Sequence, residues 1–596
     1  MCGIFLHNIN DTNLSQKISN LLFHRGPDFQ NFIKYQDFTI GQNLLSIRGD
    51  IENSLQPRVT KSKRYIFAFN GQIYNTKEIC TSYNIDEQNN LDTAILADLI
   101  DIKGKDFISY IDGMFAIILI DTKTNKVFCY RDNSGQKPIY YYFNNKKIFI
   151  CSEINPIAFF LKKELLLSTD DHGIIEGLTY GYNTGSNTIF KNIKKILPGE
   201  VLSFNNSYEK EHKNFIPNLS LKELTIPETI ELTVKKHLQT KQKIAINLSG
   251  GIDSNIILYE ALKFHPKIPV FSTQFETSEK KYNLDFQSAK QIAYDYQIPF
   301  YETNISKKDY IDNFAEVFEK IEEPNLNINN PAYYINYKNQ SKLGFRSILS
   351  GDGGDEIFVG YDWYFNFKKL EKIFSTLNLL FINKIFHLEV FNFFREFKRY
   401  NFYYFNKNYV NKKIYNKNII GNLNENSKNF QKYFSENYKS LKNLSWQVKK
   451  LLLQQFFWLS GEILLRADKL SMQNSMEVRN PFCDYNLRFR ILDDLKDSDF
   501  NSIISKSKIR NLYKGKLSPI VTNNHSKQGW SIPQEWLVEK DLKNIVLDYI
   551  PYKNERFVKW QDIRNYIKSN NKYLLQKNMN SIISLAIIKK KYSLEI

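Results

Sequence analysis

Cysteine is scarce and unpatterned in this chain. Five occur in 596 residues, at positions 2, 80, 129, 151 and 483. The count is odd and no Cys-x-x-Cys pair is present, which argues against a disulfide framework or a cysteine zinc site and fits a reducing, cytoplasmic setting. Long apolar runs are missing too. The longest clear one, Met114 to Ile120, is far too short to cross a bilayer, so no membrane partner is expected. The opening MCGIFLHNINDTN has no basic segment leading into an apolar core and does not read as a signal peptide. Dense basic tracts are absent as well. The net charge is +18, from 81 Lys and Arg against 63 Asp and Glu, but the lysines are dispersed among Asn, Tyr and Phe. Dispersal of this kind reads as compositional bias, not as a nucleic-acid footprint. The length allows two to four domains.

Two glycine-rich stretches carry chemistry. In NLSGGIDSN, residues 247–255, a short β-branched run from Lys243 to Leu248 reads as a buried strand, and Ile256 to Phe264 reads as a helix. Strand, glycine-rich turn, helix is the arrangement that points backbone N–H groups at an anion. Gly250 and Gly251 allow close approach, and Ser249 and Ser254 add hydroxyl donors. The carboxylate of Asp253 would repel phosphate unless a divalent cation bridged the two. In Ser350-Gly351-Asp352-Gly353-Gly354-Asp355-Glu356, carboxylates again sit on a glycine-rich turn after an apolar run. Crowded acids of this kind call for a cation or a basic partner. From Lys241 the chain alternates KIAINL, ILYEALKF, IPVFSTQF, FQSAKQIAYDY and IPFYETNI, which predicts a parallel, doubly wound sheet with its ligand at the carboxyl ends of the strands.

The first 200 residues have a different texture. Cys2 stands between Met1 and Gly3, and a small residue at position 2 allows Met1 to be removed. It would then carry both a thiol nucleophile and an α-amine of pKa near 8 able to act as its base. His24-Arg25-Gly26-Pro27-Asp28 follows an amphipathic segment. Phe67 to Asn75, FAFNGQIYN, reads as an alternating strand running into an Asn-Gly turn. Asp92 opens a helix, LDTAILADLI. Strand-like runs at 115–120, 127–131, 139–143 and 147–151 predict packed antiparallel sheets.

These motifs, in this order, resemble the glutamine-dependent asparagine synthetases of the bacterial type. The match rests on CGI, HRGPD, NGQIYN, RDxxGxKP from Arg131, SGGIDS and the 350–356 cluster. The resemblance implies an α+β N-terminal-nucleophile glutaminase domain, an αββα sandwich, over 2–204. A linker over 205–225 and an α/β PP-loop ATP pyrophosphatase-type synthetase domain over 226–596 would follow. It makes Cys2 the nucleophile, Asn70 and the Gly71 N–H the oxyanion hole, and Asp92 the partner of the substrate α-ammonium. Leu44, Leu45, Ser46, Ile47, Arg48 and Gln72 would complete the glutamine pocket, and Arg25 would order the surroundings of Cys2. For ATP it implies Leu248, Ser249, Gly250, Gly251, Asp253, Ser254, Thr273, Ser350 and Gly351, with Mg²⁺ on Asp253 and Asp355. Asp352 would sit at the reaction centre and Lys506 would stabilise the adenylate, with Lys508 as a rival for that role.

The chain departs from the family pattern in three places. The family has Arg-Leu-Ser-Ile where this chain has Leu44-Leu45-Ser46-Ile47, so the arginine for the glutamine α-carboxylate is missing, with Arg48 as the expected substitute. Gln72 stands where the family has Glu, and Asp352 where many members have Glu. Arg466-Ala467-Asp468-Lys469 and Glu477-x-Arg479-x-Pro481-Phe482-x-Asp484 resemble a later block beside the acceptor and adenylate site, and Lys527-x-Gly529-Trp530 resembles the family's closing motif. The implied acceptor is aspartate. The same chemistry on another carboxylate, such as a uronic acid of a surface polysaccharide, stays open, as does a non-catalytic basic binding protein. The implied partners are small molecules, and a homodimer is left open. Residues 370–444, rich in Phe, Tyr, Asn and Lys, have no functional reading.

Overall fold

The computed structural model describes residues 2–86, 91–205, 210–215, 224–361, 448, 451–452, 454–495, 499, 505–522, 530–576 and 579–596. The expectations on 370–444, Lys527 and Gly529 lie outside these residues.

Two six-stranded antiparallel sheets form the N-terminal part. In strand order, the first runs Ile193–Lys195, Tyr140–Asn144, Lys147–Cys151, Cys2–His7, Phe38–Leu44, Phe29–Tyr35. The second runs Lys210–Asn214, Glu200–Phe204, Lys126–Arg131, Gly113–Asp121, Tyr65–Ile73, Arg58–Val59. Alternation decides which side chains meet. Ile4, Leu6 and Ile40 of one sheet face Ile66, Ala68, Ile118 and Ile120 of the other in a shared core. The outward residues Phe67, Phe69, Ile117 and Leu119 pack instead on the helix Asp92–Lys103. Phe5, Tyr142 and Phe149 pack on the helices Leu14–Leu21 and Ile154–Lys163. The layers are therefore helix, sheet, sheet, helix.

Two local expectations change. The turn expected at Asn70-Gly71 is not there. The strand Tyr65–Ile73 runs straight through it, with Asn70 opposite Ala116 and Gly71 opposite Phe115. The glycine is needed for another reason: it holds φ at +148°, and a Cβ there would lie 2.0 Å from the Met114 carbonyl oxygen. Lys210–Asn214, inside the stretch expected as a linker, is a strand that covers the edge of Glu200–Phe204.

The C-terminal part opens at the helix Ile226–His237, whose Thr225 and Glu228 form a reciprocal capping box. Its sheet has five parallel strands in the order Phe300–Ile305, Val270–Phe275, Ile244–Asn247, Ser347–Leu349, Glu477–Arg479. Both glycine-rich stretches follow neighbouring strands of this sheet, at their carboxyl ends. The helix after the first begins at Ile252, earlier than its apolar spacing indicates, so its N-terminal amides open directly onto the loop.

The two parts share one apolar core, which runs from Phe5 and Tyr140 to Trp536 and Ile583. Ionic groups cross the same boundary. Glu322 accepts the Ile154 and Asn155 amides at 2.9 and 2.8 Å and pairs with Lys469. Glu323 pairs with Lys195 at 2.7 Å and accepts the Tyr140 hydroxyl at 2.7 Å. No disulfide joins any of the five cysteines. Among the described residues no helix is long and apolar enough to cross a membrane.

His7 and His237 are buried in this framework and held neutral. The Ile9 amide donates to His7 Nδ1, so Nε2 carries the proton and donates to Ser15 Oγ at 2.9 Å. His237 donates from Nδ1 to the Thr233 carbonyl and lies 4.3 Å from the Tyr74 ring. Burial brings His7 down to about 4 and His237 to about 3. Between these values and the ordinary 6.5 the unfolded chain binds more protons, so stability falls as pH falls. Lowering the pH from 7 to 5 is expected to cost about 2 kcal/mol per histidine. Urea unfolding at the two pH values checks this, with a shallower pH slope expected for His7→Asn.

Candidate active site

Two pockets gather the residues singled out above. The smaller one surrounds Cys2 at the start of a central strand of the first sheet. Leu44, Leu45, Ser46, Ile47, Arg48, Gly71, Gln72 and Asp92 line it with Cys2. Asn70 is fully buried beside it. The Cys2 N–H donates to Asn70 Oδ1 at 2.9 Å, which fixes the amide's orientation. The Nδ2 of Asn70 is then a buried donor with no partner. An unmade buried hydrogen bond is costly unless a ligand completes it. An amide held this way beside a thiol is placed to meet negative charge developing on a bound carbonyl oxygen.

Cys2 is 4% exposed, and burial pushes the pKa of its thiol up, with the Leu45 amide and Arg25 pulling the other way. Gln42 donates to its Sγ at 2.8 Å. Sequence reasoning missed Gln42, because a lone glutamine within a strand carries no local signal. Arg25 is 0% exposed and donates to the Cys2 carbonyl at 3.3 Å, to Glu153 at 3.1 Å and to Asp468 at 2.9 Å. Burial works against its charge, but the Asp468 and Glu153 carboxylates outweigh it and hold the guanidinium above its ordinary value.

Arg48 reaches the pocket, yet its two terminal nitrogens donate to the Ile73 carbonyl and, at 2.9 Å, to Thr76 Oγ1. Its guanidinium lies 3.8 Å from Asp92. Asp92 in turn accepts the Ile73 and Thr93 amides. Gln72 donates across the domain boundary to the Gln239 carbonyl at 3.1 Å, and its Oε1 is buried without a partner. Glu477 and Arg479 of the second domain line this pocket as well, which the sequence did not indicate.

The larger cavity, about 410 Å³, lies at the carboxyl ends of the parallel strands. Leu248, Ser249, Gly250, Gly251, Asp253, Ser254, Thr273, Ser350, Gly351, Asp352, Asp355 and Lys506 all line it. Ser254 Oγ holds the first loop by accepting the Ser249 amide at 3.2 Å. Asp285, unmarked in the sequence, accepts the Gly250 amide at 3.1 Å, and burial raises its pKa. The two loops touch: a Cβ on Gly354 would lie 2.6 Å from Asp253 Oδ1.

Lys506 sits between Asp253 and Asp355, 2.8 Å from the latter. Burial opposes its charge, and the two carboxylates outweigh it and raise its pKa. Lys508 lies away from the cavity, on Asp494 at 2.7 Å and Asp499 at 3.4 Å. Asp352 accepts the Ser350 hydroxyl at 3.0 Å. Glu356 is buried against Asp355 and is pushed up to about 8. On the far wall Arg466 lies 4.0 Å over the Tyr333 ring and pairs with Glu462 at 3.1 Å, while its Nη1 is buried without a partner. Tyr337, Trp458 and Trp530 also line the cavity.

Among the described residues no group of three or more His, Cys, Asp or Glu is gathered as a metal cluster. Asp253 and Asp355 are a pair of hard oxygen donors brought onto one cation, Lys506. Two carboxylates with the rest of the shell from phosphate and water is a donor set that suits Mg²⁺.

Residues 1–215 match the glutamine amidotransferase domain family and residues 225–588 the asparagine synthase family. Asparagine synthetase [glutamine-hydrolyzing] 1 of Bacillus subtilis (strain 168) is 25% identical over 582 residues, 89% of this chain and 86% of that one. A probable asparagine synthetase [glutamine-hydrolyzing] of Acanthamoeba polyphaga mimivirus is 26% identical over 398 residues, 61% of this chain and 68% of that one. Among solved structures, one described as the allosteric regulatory enzyme of purine biosynthesis aligns at a TM-score of 0.28 and 13% identity, over 51% of this chain and 80% of that one.

Lys506→Met leaves the partly buried Asp253 and Asp355 carboxylates facing each other in the cavity lining without a cation. Removing one partner of such a partly exposed cluster costs about 1–2 kcal/mol, below the figure for a fully buried pair. A melting temperature lowered by several degrees in EDTA, and partly restored by Mg²⁺, is the expected result in differential scanning calorimetry.

Proposed function

The chain belongs to the asparagine synthase family, and from that premise we propose that it is a glutamine-dependent ligase converting a carboxylate into an amide at two coupled sites. The observation that carries the first half is the partnerless amide of Asn70 beside the buried thiol of Cys2. The Cys2 nitrogen becomes a free α-amine once Met1 is removed, and takes the thiol proton. The thiolate attacks the side-chain carbonyl carbon of glutamine. Asn70 Nδ2 and the Gly71 N–H hold the oxyanion. The C–N bond breaks, ammonia leaves, and water cleaves the thioester to glutamate. Asp92 and Gln72 Oε1 hold the substrate's α-ammonium.

In the larger cavity, Ser249, Gly250, Gly251 and Ser254 cradle the pyrophosphate side of ATP, with Leu248, Thr273, Ser350 and Gly351 around it. Asp253 and Asp355 would hold Mg²⁺, which when bound neutralises phosphate charge. Lys506 adds positive charge where the adenylate forms and breaks down. The acceptor carboxylate attacks the α-phosphorus and pyrophosphate leaves. Ammonia then attacks the acyl carbon and AMP leaves, with Asp352 at the reaction centre taking the proton. Aspartate is the first reading of the acceptor, supported by the names of the relatives at about 25% identity. A uronic acid is the second, favoured by the indole side chains of Trp458 and Trp530 among the residues that line the cavity.

Pyrophosphate release from ATP and Mg²⁺ with ammonium present tests this, with aspartate compared against uronic acids and nucleotide sugars. Release with aspartate assigns the first acceptor, and release with a sugar acid alone assigns the second. Silence with every carboxylate overturns the reading. Cys2→Ala is expected to lose amide formation from glutamine while keeping it from ammonium. Asn70→Ala is expected to lower the glutaminase kcat by about 10²- to 10³-fold.

A further inference from the structure

We propose that Arg479, from the second domain, is the ligand for the α-carboxylate of glutamine, so that the glutamine pocket is completed across the domain boundary. The inference rests on the glutaminase reading of the Cys2 pocket. An amino acid bound there brings a carboxylate that needs a cation, and Leu44 supplies none. Arg48 has both terminal nitrogens committed to Ile73 and Thr76 and its guanidinium beside Asp92, so its work is to orient Asp92.

Arg479 lines the same pocket and is 0% exposed. Its Nε pairs with Glu477, and its Nη1 donates to the His237 carbonyl and, at 2.9 Å, to the Gln239 carbonyl. Its Nη2 makes no hydrogen bond among the described residues, so one edge of the fork is open. A buried guanidinium with an open edge is completed by an anion, and a carboxylate matches its geometry.

The neighbouring contacts sort the two charges of the substrate. The Gln239 carbonyl also accepts from Gln72 Nε2, which leaves Gln72 Oε1 as a buried acceptor on the same wall. The ammonium thus has Gln72 Oε1 and Asp92, and the carboxylate has Arg479. The backbone of Arg479 is fixed independently of the pocket. It pairs with Leu349 in the parallel sheet, and its carbonyl accepts the Ser350 amide at 2.9 Å.

The test compares L-glutamine with L-glutamine α-amide, which has the same reacting group but no α-carboxylate, by ammonia release from the full chain. Wild-type protein is expected to prefer glutamine in kcat/KM by roughly ten- to a hundred-fold, a preference worth a hydrogen bond to a charged group. Arg479→Met is expected to bring the two substrates within a few-fold of each other, through a raised KM for glutamine, and Arg479→Lys to restore part of the preference. A merely structural role would slow both substrates alike. Preference unchanged in Arg479→Lys and Arg479→Met, or equal losses on both substrates, overturns the proposal. If Arg479→Met does not fold, full wild-type preference in Arg479→Lys overturns it alone, since a single ammonium cannot reproduce the fork. Wild-type protein that releases no ammonia from glutamine overturns the glutaminase reading instead.

Discussion

The buried guanidinium of Arg25 is the contact on which the arrangement of both sites depends. It touches the carbonyl of Cys2, the carboxylate of Glu153 and, across the domain boundary, the carboxylate of Asp468. Taking a guanidinium out of water costs several kcal/mol, and only its paired carboxylates offset that cost. The geometry is therefore strongly determined, because leaving any one of these charges alone in the interior is unfavourable. Lys137, 3.5 Å from Asp468, adds a second cation to the cluster. The result fixes where the second domain stands relative to the thiol.

One helix carries this constraint into the other site. In Leu464–Met472, Asp468 meets Arg25, while Arg466, two residues earlier, stacks on Tyr333 in the larger cavity. The strand Glu477–Arg479 does the same from the other side. Its side chains reach the Cys2 pocket, and its backbone holds the Ser350 loop. The two pockets are thus built from neighbouring residues of shared elements, not from separate modules joined by a tether.

Much of this was legible in the chain. The strand and loop of NLSGGIDSN and the cluster at 350–356 announce themselves because glycine, hydroxyl and carboxylate crowd into a few consecutive residues after an apolar run. The closely spaced apolar runs at 115–120 and 147–151 mark the sheets because both faces of these strands are covered, one by the opposite sheet and the other by helices. What was hidden is what depends on partners distant in sequence. Asn70-Gly71 has the local pattern of a hairpin turn, and only pairing with Gly113–Asp121 keeps the strand going. Gln42 and Asp285 are single residues of ordinary type whose contacts come from what faces them, and Arg479, though part of a marked block, carries no local sign that it reaches the Cys2 pocket. The neutrality of His7 and His237 follows from burial, which no spacing reveals.

The central claim is that nitrogen released at Cys2 is the nitrogen that reaches the activated carboxylate. The direct test supplies glutamine labelled with ¹⁵N in its side-chain amide, together with ATP, Mg²⁺, an acceptor carboxylate and an excess of unlabelled ammonium. Mass spectrometry of the amide product then reads the source of its nitrogen. The account predicts product enriched in ¹⁵N well above the label's share of free ammonia, because the two pockets hand the nitrogen on within one protein. Product whose label only matches the free pool, or glutamine hydrolysed with no amide formed, would contradict it.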